Sequence, residues 1–222
     1  MSVKEKLLLL KGSLPQNVTL IAVSKTKPTE LLMEAYVEGQ RDFGENYVQE
    51  LCEKQAQLPN DIRWHFIGHL QSNKVKYIAP FVHLIHGIDS LKLLTEVNKQ
   101  AARNNRVVAC LLQIYIAQEE TKFGLDFAEA ENLLVSAEFA QLNHINVLGF
   151  MAMASNTSNM EQVKNEFLSL QKFAAHIKAN LGAKHNLEVK HLSMGMSADY
   201  QLAIECGSTL VRIGSSIFGA RV

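Results

Sequence analysis

Eight short β-type runs, each separated from the next by a helical stretch, restrict the fold of this chain more than any other feature. They fall near 18–24, 41–44, 63–67, 83–87, 106–115, 145–151, 189–193 and 209–213. Strands that alternate with helices predict an α/β protein with a parallel sheet and crossover helices. The first run, Val18-Thr19-Leu20-Ile21-Ala22-Val23, is six β-prone residues and reads as a buried strand. The clearest helix is 159–180. Ser158-x-x-Glu161 supplies a capping-box pattern for its start, and Val163, Phe167, Leu170, Ala174 and Ile177 recur at helical spacing. Gly182 lies just beyond its end. Leu7-Leu8-Leu9-Leu10 reads as the apolar face of a first helix.

Nothing divides 1–222 into parts: there is no linker and no low-complexity stretch, so a single domain is expected. Hydrophobic residues make up 47%, enough for a sizeable core. Lysine plus arginine and aspartate plus glutamate both number 22, so no basic excess points to nucleic acid. The four-leucine run is too short for a signal segment or a membrane span, so no membrane partner is expected. Cys52, Cys110 and Cys206 are odd in number, far apart and without a CxxC pair. They read as reduced, buried thiols of a cytoplasmic protein. The eight histidines show no metal-ligand spacing supported by a carboxylate, so no metal is expected.

The first strand hands over to a helix through Ser24-Lys25-Thr26-Lys27-Pro28. In a barrel of parallel strands that end carries the chemistry. A partly desolvated lysine there has a lowered pKa and can attack an aldehyde as a free amine. Lys27 reads instead as a solvated surface residue. Near the other end, His191-Leu192-Ser193-Met194-Gly195-Met196-Ser197 and Val211-Arg212-Ile213-Gly214-Ser215-Ser216 are two strand-to-turn units in succession. Each turn alone would only cap a helix. Two together, after consecutive strands, favour a phosphate site using Ser193, Ser197, Gly214 and Ser215. Gly195 is expected to let the backbone approach a ligand closely.

These pieces carry a family resemblance. Ala22-Val23-Ser24-Lys25-Thr26-Lys27-Pro28, Phe43-Gly44-Glu45-Asn46-Tyr47 and Trp64-His65-Phe66-Ile67-Gly68-His69-Leu70-Gln71-Ser72-Asn73-Lys74 occur in order. Lys122-Phe123-Gly124-Leu125, Gly149-Phe150-Met151-Ala152-Met153-Ala154, the Ser193–Ser197 turn and Val211-Arg212-Ile213-Gly214 follow. With them the chain resembles the pyridoxal phosphate homeostasis proteins, the proline synthase co-transcribed family, over residues 22–221. The resemblance implies one (β/α)8 TIM-type barrel like the N-terminal domain of alanine racemase. It implies pyridoxal 5′-phosphate (PLP) held as a Schiff base on Lys25. It also implies that Arg212 meets the ring nitrogen.

An arginine cannot readily protonate a pyridine, so the ring is a weak electron sink. Asn46 either caps a helix over Asn46–Gln57 or bonds the phenolic oxygen of the cofactor. His65 alternates in and out with its strand and could face the ring; His69 and Gln71 are weaker candidates. The Met151–Met153 and Met194–Met196 turns read as adaptable packing. Lys122-Phe123-Gly124 could form a lid. Two functions compete: a PLP carrier that supplies apo-enzymes, and a PLP-dependent amino-acid racemase. Alanine racemases draw their second base, a tyrosine, from a separate C-terminal domain of the partner subunit. The chain stops at Val222, so that domain, the second base and the racemase dimer contact are expected to be missing. Tyr200 is the only tyrosine beside a proposed site turn. A monomeric, non-catalytic carrier is the favoured expectation.

Overall fold

The computed structural model describes residues 1–117 and 123–219. Helix α1 (Val3–Ser13) precedes β1 (Thr19–Val23), α2 (Thr29–Val37), β2 (Asp42–Glu45), α3 (Val48–Gln57) and β3 (Arg63–Phe66). Next come α4 (Val75–Ile78), β4 (Leu84–Ile88), α5 (Leu91–Arg103), β5 (Val108–Gln113), α6 (Phe127–Val135) and α7 (Ala137–Ala140). The chain ends with β6 (Ile145–Met151), α8 (Met160–Leu181), β7 (Leu187–Ser193), α9 (Tyr200–Glu205), β8 (Leu210–Ile213) and α10 (Ser215–Phe218). The eight strands close into one barrel in sequence order. All pairs are parallel, and β8 returns onto β1 with Ile21 opposite Arg212. This is the (β/α)8 barrel expected.

Strand alternation sorts the side chains into two layers. Leu20 and Ala22 of β1 point outward and join the main core beneath the helices. Ile21, between them, packs with Leu84, Leu111, Met151 and Leu210 in a separate cluster. Those residues come from β1, β4, β5, β6 and β8, strands that are not all neighbours, so they meet through the lumen. Each fully buried aliphatic side chain of this kind contributes about 2 kcal/mol. The same parity places Asp42, His65, His86, Ser193 and Arg212 inside the barrel. They are buried polar groups in a lumen that aliphatic residues fill only in part.

Local details depart from the sequence reading in three places. Helix α8 is capped by Asn159, whose side chain accepts from the Gln162 N–H, so the capping box read at Ser158 and Glu161 is one residue out. Reciprocal capping boxes form on α1 (Ser2 and Glu5) and α6 (Asp126 and Glu129). The four leucines of α1 divide by helical spacing: Leu7 and Leu10 are buried, whereas Leu8 and Leu9 are exposed. All three cysteines are free thiols, but only Cys110 and Cys206 are buried, while Cys52 is half-buried.

Candidate cofactor site

Lys25 stands on a strained elbow. Thr26, directly after it, has φ 62°, a left-handed conformation rare for a β-branched residue. Such a residue costs about 1–3 kcal/mol and persists only where its surroundings hold it. The holding groups come from α3. Lys54 Nζ donates to the Ser24 carbonyl at 2.7 Å, to Glu45 Oε1 at 2.8 Å and to Glu50 Oε1 at 2.7 Å. Glu50 Oε1 in turn accepts the Thr26 N–H at 2.6 Å. The Ser24 hydroxyl donates to Glu45 Oε1 at 2.6 Å. Both backbone neighbours of Lys25 are thereby tied to one buried charge cluster. Burial pushes the Glu45 carboxyl up, and Lys54 only partly offsets it.

At the C-terminal ends of the strands lies a cavity of about 340 Å³. Val23, Lys25, Lys27, Asn46, Ile67, Met153, Met196, Ser197, Ala198, Arg212, Gly214, Ser215 and Gly219 line it. Three of these side chains are basic, and among the described residues of the lining none is acidic. Ser215 Oγ donates to Ser197 Oγ at 3.0 Å, which joins the turn after β7 to the one after β8. Met196 N–H donates to Asp199 Oδ1 at 2.6 Å and closes the first of these turns. Asn46 Oδ1 is buried without a hydrogen-bond partner among the described residues. A larger open groove of about 840 Å³ beside α2 lies away from the strand ends and is lined by side chains such as Glu30, Met33 and Val37.

Arg212 is buried in the wall of the cavity. Its Nη1 donates to the Ser193 carbonyl at 2.7 Å and to Ser193 Oγ at 2.6 Å, and its Nη2 to the Ala152 carbonyl at 3.1 Å. These partners are neutral, so among the described residues no contact carboxylate cancels the charge. Burial pulls its pKa down to about 10, still far above neutrality. Below Arg212 the lumen is crossed by hydrogen bonds. Ser193 Oγ lies 2.9 Å from His86 Nδ1, His86 Nε2 lies 3.0 Å from His65 Nδ1, and His65 Nε2 lies 3.0 Å from Asp42 Oδ1.

Residues 2–222 match the family model described as alanine racemase, N-terminal domain. A pyridoxal phosphate homeostasis protein of Aquifex aeolicus is 42% identical over 204 residues, covering 91% of this chain and 86% of the relative. Its counterpart in Escherichia coli K12 is 40% identical over 214 residues, covering 95% and 88%. This chain belongs to the pyridoxal phosphate homeostasis family. Among solved structures, Synechococcus elongatus PipY without PLP superposes with a TM-score of 0.92 at 35% identity, covering 98% of this chain and 100% of PipY. PipY with PLP bound gives 0.89 over the same shares at the same identity. An alanine racemase of Clostridium difficile, 15% identical with a TM-score of 0.76, shares the barrel fold over 99% of this chain and 60% of its own.

In this family member, Lys25, Asn46, Ser197, Arg212, Gly214 and Ser215 all line one cavity. Ser193 does not. Its hydroxyl is buried beneath the cavity between Arg212 and His86, outside the lining where the phosphate reading expected it. Asn46 does not cap α3: the cap position is Tyr47 and the helix begins at Val48. Lys27 lines the cavity, half-buried, where a solvated residue was expected. His65 points down to Asp42 and across to His86, not into the cavity. His69 stacks on Phe123 with ring centroids 4.6 Å apart and lies 3.3 Å from Asp89; neither it nor Gln71 reaches the cavity lining. Tyr200 opens α9 and packs on the core.

Met153 and Met196 join the cavity lining, while Met151 fills the lumen and Met194 the core. Gly195, at φ 94°, answers to its own chain: a Cβ there would come within 2.6 Å of the Ala203 Cβ. At Gly214 a Cβ would meet the Val23 carbonyl oxygen at 3.0 Å, so glycine lets β8 close against β1. Of the lid segment, Lys122 lies outside the described residues.

Proposed function

We propose that this chain binds PLP as a Schiff base on Lys25 and serves intracellular PLP homeostasis without efficient amino-acid turnover. The observation that carries the proposal is the cavity itself. It gathers three basic side chains, two hydroxyls and the Asn46 carboxamide, with no acid in its described lining. That donor set suits a dianionic phosphate attached to an aldehyde-bearing ring. PLP supplies an electrophilic aldehyde when bound. Lys25 offers the amine, Ser197 and Ser215 the hydroxyls for the phosphate, Asn46 a partner for the phenolic oxygen, and Arg212 a donor towards the ring nitrogen. Arginine stays protonated and donates only, so the ring nitrogen stays unprotonated and the electron sink is weak. The relatives named for PLP homeostasis, and PipY with PLP bound, support the same reading.

Racemisation requires acid or base groups on both faces of the α-carbon. Apart from Lys25 and Lys27, which share one loop, the described lining holds no imidazole, phenol, thiol or carboxylate. This favours a carrier, which we place in the cytoplasm as a monomer releasing PLP to apo-enzymes. The test is incubation of the PLP-loaded protein with each proteinogenic amino acid in deuterium oxide. Negligible α-hydrogen exchange, racemisation or decarboxylation is expected, along with PLP transfer to an apo-enzyme. Rapid turnover of any one amino acid would restore the racemase.

The phosphate assignment has its own check. Replacing Ser197 and Ser215 together by alanine should weaken PLP binding roughly tenfold, which is about 1.4 kcal/mol. Phosphate-free pyridoxal should be affected less than twofold. Equal losses for the two ligands would remove these serines from the phosphate.

A further inference from the structure

Arg212 lies in the wall of the cofactor cavity, and Asp42 lines a second cavity of about 320 Å³ at the opposite mouth, where Arg63 also sits. The link between them crosses from β4 to β7, strands that are not neighbours, so it passes through the lumen. Both ends have fixed polarity. Arginine can only donate. Burial pushes the Asp42 carboxyl up, but hydrogen bonds from Arg63 and His65 outweigh it and hold the group well below the usual carboxylate range. Asp42 is therefore ionised and can only accept.

With neutral rings between such ends, one assignment satisfies every link. The Ser193 hydroxyl accepts from Arg212 and donates to His86 Nδ1. His86 donates from Nε2 to His65 Nδ1, and His65 donates from Nε2 to Asp42. A charged His65 would turn the pattern round. His86 would then donate to Ser193 Oγ, and the buried Ser193 proton would be left without an acceptor among the partners of this hydroxyl in the described residues. Burial holds His86, which lies wholly inside the barrel, well below its ordinary value. Burial likewise brings His83, edge-on to His65 at 5.3 Å, down to about 4.

We propose that Asp42 is a positioning residue for Arg212. Acting through His65, His86 and Ser193, it sets the direction of the hydrogen bonds across the lumen. Oriented this way, Ser193 turns its lone pairs to Arg212 and holds the guanidinium in the cavity wall. Only the last step, an effect on bound PLP, rests on the reading of Arg212 as the group that meets the ring nitrogen.

The test uses the full chain with nitrogen-15 labelled histidine and arginine, free of PLP. In the wild type at pH 7, His65 and His86 should each carry a proton on Nε2 and none on Nδ1. A charged ring, or an Nδ1–H on either, would overturn the proposal, and this measurement needs no variant. Asp42→Asn replaces the obligatory acceptor by a group that can also donate. It should move the signals of His86 and of the Arg212 guanidinium, and weaken PLP binding about threefold. Movement confined to His65 would overturn the relay. If His86 and Arg212 respond while the absorbance and affinity of bound PLP do not, the positioning role stands and Arg212 does not face the ring.

Discussion

Lys25→Ala is expected to give colourless protein after PLP loading, with affinity for PLP reduced about a hundredfold, or ~2.7 kcal/mol. The hydroxyls of Ser197 and Ser215 and the charge of Arg212 remain in the cavity, so some phosphate-dependent binding should survive. What disappears is the covalent bond. In the wild type, borohydride should fix the cofactor onto the Lys25 peptide; in the variant it should fix nothing. Lys27 is the informative control, because it lines the same cavity two residues further on. Lys27→Ala should keep the yellow colour and lose only a few-fold in affinity, as expected of a charge near a phosphate. Cofactor found on the Lys27 peptide, or retention of the absorbance by Lys25→Ala at equal affinity, would transfer the role.

Much of this site is legible from strand and turn chemistry alone. Lys25, Ser197, Gly214 and Ser215 each follow a β-type run, and the ends of parallel strands converge once the barrel closes. Arg212 shares the parity of Gly214, so its place inside is legible as well. The supporting groups are harder to read. Ser193 and His86 are 107 residues apart in sequence and meet only because β4 faces β7 across the lumen. A cue exists: His86 is a histidine in the apolar run Leu84-Ile85-His86, at the parity of Leu84, which points inward. Asp42 and His65 begin and fill adjacent strands at matching parity. Turning these cues into contacts needs the register of the closed barrel, which local periodicity does not supply. Lys54 divides the same way: its partner Glu50 lies one turn back on α3 and is legible from helical spacing, while its contacts with Glu45 and the Ser24 carbonyl are set by how α3 docks on β2. Asn46 misled for a local reason. It stands where caps stand, but the chain runs extended for one more residue before α3 begins.

Lys54 leads to the largest expected effect on stability. Its side chain and that of Glu45 are buried, and Glu45 Oε2 has no partner among the described residues. Lys54→Met keeps the apolar stem and removes the charge, leaving Glu45 in a poorly hydrated shell with only the Ser24 hydroxyl bonded to it. Breaking a buried pair from one side costs about 3–5 kcal/mol. The pH dependence follows from the direction of the Glu45 shift. Burial already raises this carboxyl above its ordinary value of 4.5, and loss of Lys54 raises it further. A carboxyl whose folded pKa lies above the unfolded one costs stability above that folded value and costs nothing below both. Unfolding of Lys54→Met in urea should therefore show its full loss in alkaline buffer and a smaller loss as the pH falls through the raised folded value of Glu45. A loss that stays constant over this range would mean that the buried carboxylate is not the cause. The variant also frees the Ser24 carbonyl and loosens the grip of Glu50 on the Thr26 N–H. The strained elbow under Lys25 should then relax, and PLP binding should weaken even at the lower pH, where the stability loss is smaller.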